Sequence, residues 1–148
     1  MLLLKEHTEA ISENLNRLSN SRYKIFVVCG GPLTGKTTLV KNVCCSIECR
    51  YIDVTSELLP VITKPVLGAF GPNHLIRWIG VKIDDSDKPV CFDELESLIA
   101  TFGKSGAIQF FEMLKSIETK NPALITTRME SIIADVSFPR EHLYFLNG

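Results

Sequence analysis

Apolar residues along this chain fall into short continuous runs separated by amphipathic stretches. Five runs have the length and composition of strands: 24–29, 50–54, 89–92, 123–126 and 142–146. A continuous apolar run such as Lys-Ile-Phe-Val-Val-Cys is typical of a parallel strand that is covered on both faces. The pattern therefore predicts five strands, most of them parallel.

The stretches between these runs show helical spacing. Ile11, Leu15 and Leu18 lie on one face of a helix predicted over residues 5–19. Further helices are predicted over 36–47, 73–80 and 107–119, with short helical segments at 55–59, near 95 and over 128–134, and a polar turn over 84–88. Strands that alternate with helices predict a three-layer α/β fold around a five-stranded sheet. We interpret residues 1–148 as one domain with a leading helix over residues 1–20.

A glycine-rich segment joins the first strand to the helix that follows it. Gly30-Gly-Pro-Leu-Thr-Gly-Lys-Thr37 matches G-x-x-x-x-G-K-[ST], the Walker A phosphate loop, at every fixed position and in the strand–helix context that the motif requires. Glycines let successive backbone N–H groups point at phosphate oxygens, and the helix adds its positive end. The motif and the next residue give the predicted nucleotide-binding set: Gly30, Gly31, Pro32, Leu33, Thr34, Gly35, Lys36, Thr37 and Thr38.

Two of these side chains have specific predicted roles. Lys36 is expected to reach the β- and γ-phosphates of a nucleoside triphosphate and to act in catalysis, and the Thr37 hydroxyl is expected to bind Mg²⁺. The sequence therefore predicts ATP, or another nucleoside triphosphate, and Mg²⁺ as the bound species.

A second acidic element follows the third strand. Asp93 and Glu94 come directly after Val-Cys-Phe, in the manner of a Walker B element. Asp93 is predicted to lie near the Mg²⁺ ion, and Glu94 to orient or deprotonate the attacking water. The alternative is that both carboxylates only begin a helix near Leu95, a position that carboxylates favour.

Three more residues are candidates for the catalytic site. Thr126 ends the fourth strand, at the carboxyl edge where parallel sheets bind ligands, and is a candidate sensor of the γ-phosphate. Arg128 follows that strand and Arg140 precedes the fifth; each is a candidate arginine finger, in its own site or in that of a neighbouring subunit. The alternatives are a strand threonine that only packs and arginines that only face solvent.

Composition narrows the function classes. The net charge of −1, from 16 basic and 17 acidic side chains, weighs against a stand-alone nucleic-acid binder. No apolar run is long enough to cross a membrane, and the apolar start at residues 1–4 is too short for a signal peptide, so a cytoplasmic protein without a membrane partner is expected. The five cysteines are then expected to be reduced, and Cys44, Cys45 and Cys49 lack zinc-site spacing.

The order of these motifs resembles the AAA+ ATPase core over nearly the whole chain. The resemblance implies a parallel sheet of order 5-1-4-3-2 and an oligomer in which one subunit supplies an arginine in trans to the next. The helical lid domain of AAA+ proteins has no room after Gly148, which implies weak hydrolysis by an isolated monomer.

Among short lidless members, the chain resembles the BrxF family of small P-loop proteins from bacteriophage-exclusion (BREX) antiviral defence systems. The similarity lies in total length, the short leading helix, Tyr51–Leu59, Asp93-Glu-Leu-Glu-Ser-Leu98 and Phe138–Tyr144. It implies an ATPase subunit that works with larger defence proteins, such as a larger ATPase or other BREX subunits, with direct DNA contact left open. Two other functions remain open: a free-standing nucleoside triphosphatase or small-molecule kinase, and a nucleotide-gated adaptor that does not hydrolyse ATP.

Overall fold

The computed structural model describes residues 4–30, 35–62 and 70–146. Its five strands are β1 (Ile25–Gly30), β2 (Arg50–Asp53), β3 (Val90–Asp93), β4 (Ala123–Thr127) and β5 (Leu143–Leu146). The α-helices within these residues are α1 (Leu4–Leu18), α2 (Lys36–Ile47), α3 (Val54–Leu58), α4 (Pro72–Asp84), α5 (Glu96–Thr101), α6 (Gly103–Lys115) and α7 (Glu130–Val136). Short 3₁₀ turns cover Leu59–Val61 and Arg140–His142.

The strands form one sheet in which every pairing is parallel. Their order is β2-β3-β4-β1-β5, which is 5-1-4-3-2 when counted from the β5 edge. Because all the strands run the same way, their carboxyl ends meet at one edge of the sheet. The prediction of an α/β fold with a five-stranded parallel sheet is confirmed.

Helices cover both faces of the sheet. Phe26 and Val28 of β1 pack in the cluster that includes residues of α1 and α2, whereas Ile25, Val27 and Cys29 pack in the cluster that includes residues of α4, α6 and α7. This alternation follows from the period of two along a strand. Since both faces are covered, all six residues of β1 are buried, which explains why its sequence is a continuous apolar run.

Two helices have bounds that differ from the prediction by four residues at one end or at both. The helix predicted over 73–80 begins at Pro72 and runs on to Asp84, because Ile83 continues the buried stripe of Leu75 and Ile79 up to the predicted polar turn. The helix predicted over 107–119 is α6, which begins at Gly103 and ends at Lys115.

Candidate functional site

The candidate site lies at the carboxyl edge of three neighbouring strands. β1 ends at Gly30, β3 at Asp93 and β4 at Thr127, and β4 lies between the other two. α2 begins immediately beyond β1 in the chain, so its first turn reaches the same edge. The topology therefore brings the start of α2, which belongs to the phosphate-loop motif, close to the acidic element at the end of β3, although the two motifs are about sixty residues apart in sequence.

The described part of the phosphate loop has the backbone that the motif requires. Gly35 has φ 78°, in the left-handed region where a side chain is strained, and its carbonyl accepts the Leu39 N–H at 3.0 Å in the first turn of α2. Lys36 Nζ donates to the Gly30 carbonyl at 2.7 Å, so the ammonium group lies over the end of β1. Burial lowers the pKa of Lys36. Thr38 is exposed in the same turn, whereas Gly31, Pro32, Leu33 and Thr34 lie outside the described residues.

Asp93 is the centre of the polar network. Its side chain is only 3% exposed, and its carboxylate accepts hydrogen bonds from three hydroxyl groups. Thr37 donates to Oδ2 at 2.7 Å, Tyr51 donates to the same oxygen at 2.9 Å, and Thr126 donates to Oδ1 at 2.6 Å. Because the Thr37 hydrogen is directed at Asp93, the lone pairs of the Thr37 oxygen are left for another partner.

Glu94 follows in an unusual backbone conformation. Its φ is 62°, a left-handed value that is rare for a residue with a side chain and that is often found at functional sites. The Thr55 hydroxyl donates to its carbonyl at 2.8 Å and helps to hold this turn. The Glu94 side chain is exposed, and its Oε1 lies 3.4 Å from the Thr37 hydroxyl, so both carboxylates of the acidic element face the start of α2.

The oxygen atoms at this edge fit Mg²⁺. A hydroxyl and two carboxylates are the hard oxygen donors that this ion prefers, and a site completed by substrate phosphates and water needs only one or two carboxylates. In the described ranges, no group of three or more His, Cys, Asp and Glu side chains is placed to hold a metal ion by itself. Thr37, Asp93 and Glu94 could supply the protein oxygens of a magnesium site shared with substrate phosphates.

Two residues of the network were not among the predicted site residues. Tyr51, on β2, donates to Asp93, and burial and the neighbouring carboxylate raise the pKa of its hydroxyl. Glu96 accepts the backbone N–H of Arg128 at 2.9 Å and lies 3.5 Å from the Thr127 hydroxyl. Burial raises the pKa of Glu96. Both residues stand in segments quoted for the family resemblance, but nothing in their local sequence indicates these long-range contacts.

The remaining predicted residues lie in different places. Thr126 is buried with its hydroxyl on Asp93, which ties β4 to the acidic element. Arg128 is exposed and directly follows the carboxyl end of β4. Arg140 does not lie on that edge: it precedes β5, and Leu143 lies level with Val27, three residues before Gly30. Arg140 is therefore at least about 10 Å of strand length away from the carboxyl edge of its own chain.

Comparison with protein-family models gives no match to this chain, and comparison with curated proteins gives none either. Within the described residues, no helix combines the length and apolar character needed to cross a membrane.

Proposed function

We propose that this chain is a P-loop ATPase subunit of the AAA+ type that binds ATP with Mg²⁺ and hydrolyses it. The observation that carries the proposal is the 2.7 Å hydrogen bond from Thr37 to Asp93. It joins the threonine of the phosphate-loop motif to the first carboxylate of the acidic element, with the threonine lone pairs left for a metal ion. A glycine turn without a ligand has no need of this pairing.

Binding of the triphosphate rests on the start of α2. The N-terminal N–H groups of α2 carry partial positive charge, and Lys36 adds a full charge beside them. Lys36 Nζ already lies at the end of β1, bonded to the Gly30 carbonyl at 2.7 Å. If a phosphate oxygen replaced the Gly30 carbonyl as the acceptor for Lys36, the ammonium group would donate to an anionic instead of a neutral oxygen. The resulting charge-assisted hydrogen bond is stronger.

Hydrolysis needs a group that takes a proton from water. In the proposed step, Glu94 accepts a proton as the water oxygen forms a bond to the γ-phosphorus. The bond from that phosphorus to the bridging oxygen breaks, and the electron pair leaves with ADP. Magnesium, when bound, neutralises charge on the phosphate oxygens. The exposed carboxylate of Glu94, turned towards Thr37, supports this role.

Assembly and cellular setting are further parts of the proposal. The strand order, 5-1-4-3-2 from the β5 edge, is the order of the AAA+ core that the sequence resembles. Arg140 lies away from its own site, which favours action on a neighbouring copy. The resemblance to the BrxF family supports a role beside larger proteins of an antiviral defence system.

Isothermal calorimetry with ATP and Mg²⁺ and an assay of phosphate release test this function. Lys36→Ala is expected to weaken ATP binding about 10- to 100-fold, because a charged hydrogen bond is lost. Glu94→Gln is expected to keep ATP affinity and to lower turnover by about 10²- to 10⁴-fold. Lys104→Ala, an exposed lysine of α6, is the matched control.

Each alternative predicts a different outcome. ATP binding by the wild type with no phosphate release supports the adaptor, whereas transfer of phosphate to a nucleoside rather than to water supports a kinase. A wild type that binds no triphosphate contradicts the whole proposal.

A further inference from the structure

Tyr51 reaches the candidate metal site from a different element than the motifs. In the register of β2 and β3, Tyr51 lies opposite Cys91, so Asp93 is its diagonal neighbour on the same face of the sheet. Diagonal neighbours are about 7–8 Å apart, which an aromatic side chain can span. The tyrosine hydroxyl accordingly donates to Asp93 Oδ2 at 2.9 Å.

The other side of the ring is also held. Lys41 of α2 places its Nζ 5.3 Å from the centre of the Tyr51 ring, within the range of a cation–π contact. The ring thus lies between Lys41 of the phosphate-loop helix and Asp93 of the acidic strand. A rigid ring with two rotatable side-chain bonds places its hydroxyl with little loss of conformational freedom.

We propose that Tyr51 is a positioning residue of the magnesium site, which holds Asp93 in the orientation that accepts the Thr37 hydrogen. This inference rests on the proposed function. Thr37 and Tyr51 share one oxygen of Asp93, and Thr126 bonds the other. Three of about four acceptor positions of the carboxylate are thus occupied, from three different elements, so the carboxylate has little freedom to rotate.

Loss of the Tyr51 hydroxyl releases one of these three restraints. Asp93 Oδ2 can then turn away from Thr37, and the Thr37 hydroxyl is no longer held with its hydrogen on Asp93, which would leave its oxygen less well placed to hold a metal ion. Partners that orient metal ligands typically change metal affinity by about 10- to 100-fold. The contact is to the acidic element rather than to Lys36 or the start of α2, so triphosphate binding without metal is expected to stay the same.

The test compares Tyr51→Phe with the wild type. Mn²⁺, which prefers the same oxygen ligands, is titrated in the presence of a non-hydrolysable ATP analogue and followed by electron paramagnetic resonance. The variant is expected to bind Mn²⁺ about tenfold more weakly. Its affinity for the analogue in EDTA is expected to stay within about twofold of wild type, because the phosphate-binding groups are unchanged.

Tyr144→Phe is the matched control. Tyr144 also donates or accepts a side-chain hydrogen bond, with His7 at 2.6 Å, but it lies on β5. A second measurement adds Tyr51→Phe to Asp93→Asn. Because Tyr51 is proposed to act through Asp93, the added change is expected to cause no further loss of Mn²⁺ affinity.

The outcomes separate this inference from the function on which it rests. Equal Mn²⁺ affinity in Tyr51→Phe and wild type overturns the role of Tyr51 and leaves the ATPase proposal standing. Equal losses of Mn²⁺ and metal-free analogue affinity, or additive losses in the double variant, show a general structural role and also overturn it. A wild type that binds neither analogue nor Mn²⁺ overturns both proposals.

Discussion

At the scale of single residues, Glu96 joins the start of α5 to the end of β4. Its carboxylate accepts the Arg128 N–H at 2.9 Å and stands next to the Thr127 hydroxyl at 3.5 Å. Burial disfavours the charged carboxylate and raises its pKa, and the hydrogen bonds only partly oppose this effect. The folded protein therefore holds the Glu96 proton more tightly than the unfolded chain does.

This difference predicts how stability changes with pH. The unfolding free energy is expected to fall as pH rises from below the ordinary glutamate pKa of 4.5 through the higher folded-state value, because the folded state loses its extra proton there. Glu96→Gln keeps an acceptor for Arg128 but cannot ionise. Urea unfolding across this range should therefore show the variant gaining stability relative to wild type as pH rises. A gain no steeper than that of Glu130→Gln, an exposed glutamate of α7, contradicts the prediction.

Only some of the residues that meet at the candidate site could be predicted from local sequence patterns. Thr37 and Asp93 were predicted together because each belongs to a motif with fixed local spacing. The contact of Tyr51 depends on the register between β2 and β3, and that of Glu96 on how α5 meets β4. The local sequence pattern predicts neither the strand register nor the packing angle, so Tyr51 and Glu96 were identified only from the structure.

Among the secondary-structure elements, alanine substitutions at three glycines can distinguish the effect of backbone strain on stability from an effect on the candidate site. Gly35 and Gly103 have φ of 78° and 73°, whereas Gly80 lies inside α4. Among the described residues, an added Cβ would meet nothing within 4 Å at any of the three positions, so none of them contributes a steric clash. The effect of a change to alanine on the unfolding free energy then depends on whether the backbone conformation suits alanine.

Gly35→Ala and Gly103→Ala are each expected to lower the unfolding free energy by about 1–2 kcal/mol, because alanine is strained in the left-handed region. Gly80→Ala is expected to raise it by about 0.5–1 kcal/mol, since alanine favours a helix interior. Urea unfolding measures the three changes, and calorimetry with ATP separates them further. Only Gly35→Ala should also weaken ATP binding; equal ATP affinity in Gly35→Ala and Gly103→Ala would contradict a phosphate-binding role for this turn.

Helices and strands were predictable to different degrees. The apolar runs located all five strands to within one or two residues, and α2 begins and ends where it was predicted. The helix predicted over 73–80 stopped at Gly80, but burial of Ile83 extends α4 by another turn to Asp84. Periodicity thus located the middle of each helix, while its ends depend on packing and on local caps.

In the molecule as a whole, the carboxyl ends of the parallel strands lie at one edge of the sheet and their amino ends at the opposite edge. Gly30, the acidic element and Arg128 lie at the carboxyl edge, whereas Arg140 precedes β5 at the other end. One copy cannot bring Arg140 to its own site without rearranging β5. A head-to-tail contact between copies, which closes into a ring when the rotation permits, would place the Arg140 end of one copy against the site of the next.

Mixing two inactive variants tests this arrangement. Lys36→Ala removes the site but leaves Arg140 to donate, and Arg140→Ala keeps the site but donates nothing. Each alone is expected to release little phosphate, whereas an equal mixture should recover about a quarter of wild-type turnover per chain, since about one contact in four joins an intact site to an intact donor.

Wild-type turnover per chain should also rise with protein concentration. Lys36→Ala mixed with Arg128→Ala is the control: because Arg128 lies beside its own site, that mixture should show no more turnover than the average of its two members measured alone. No recovery with Arg140→Ala, together with turnover that stays flat across concentration, contradicts an arginine supplied in trans.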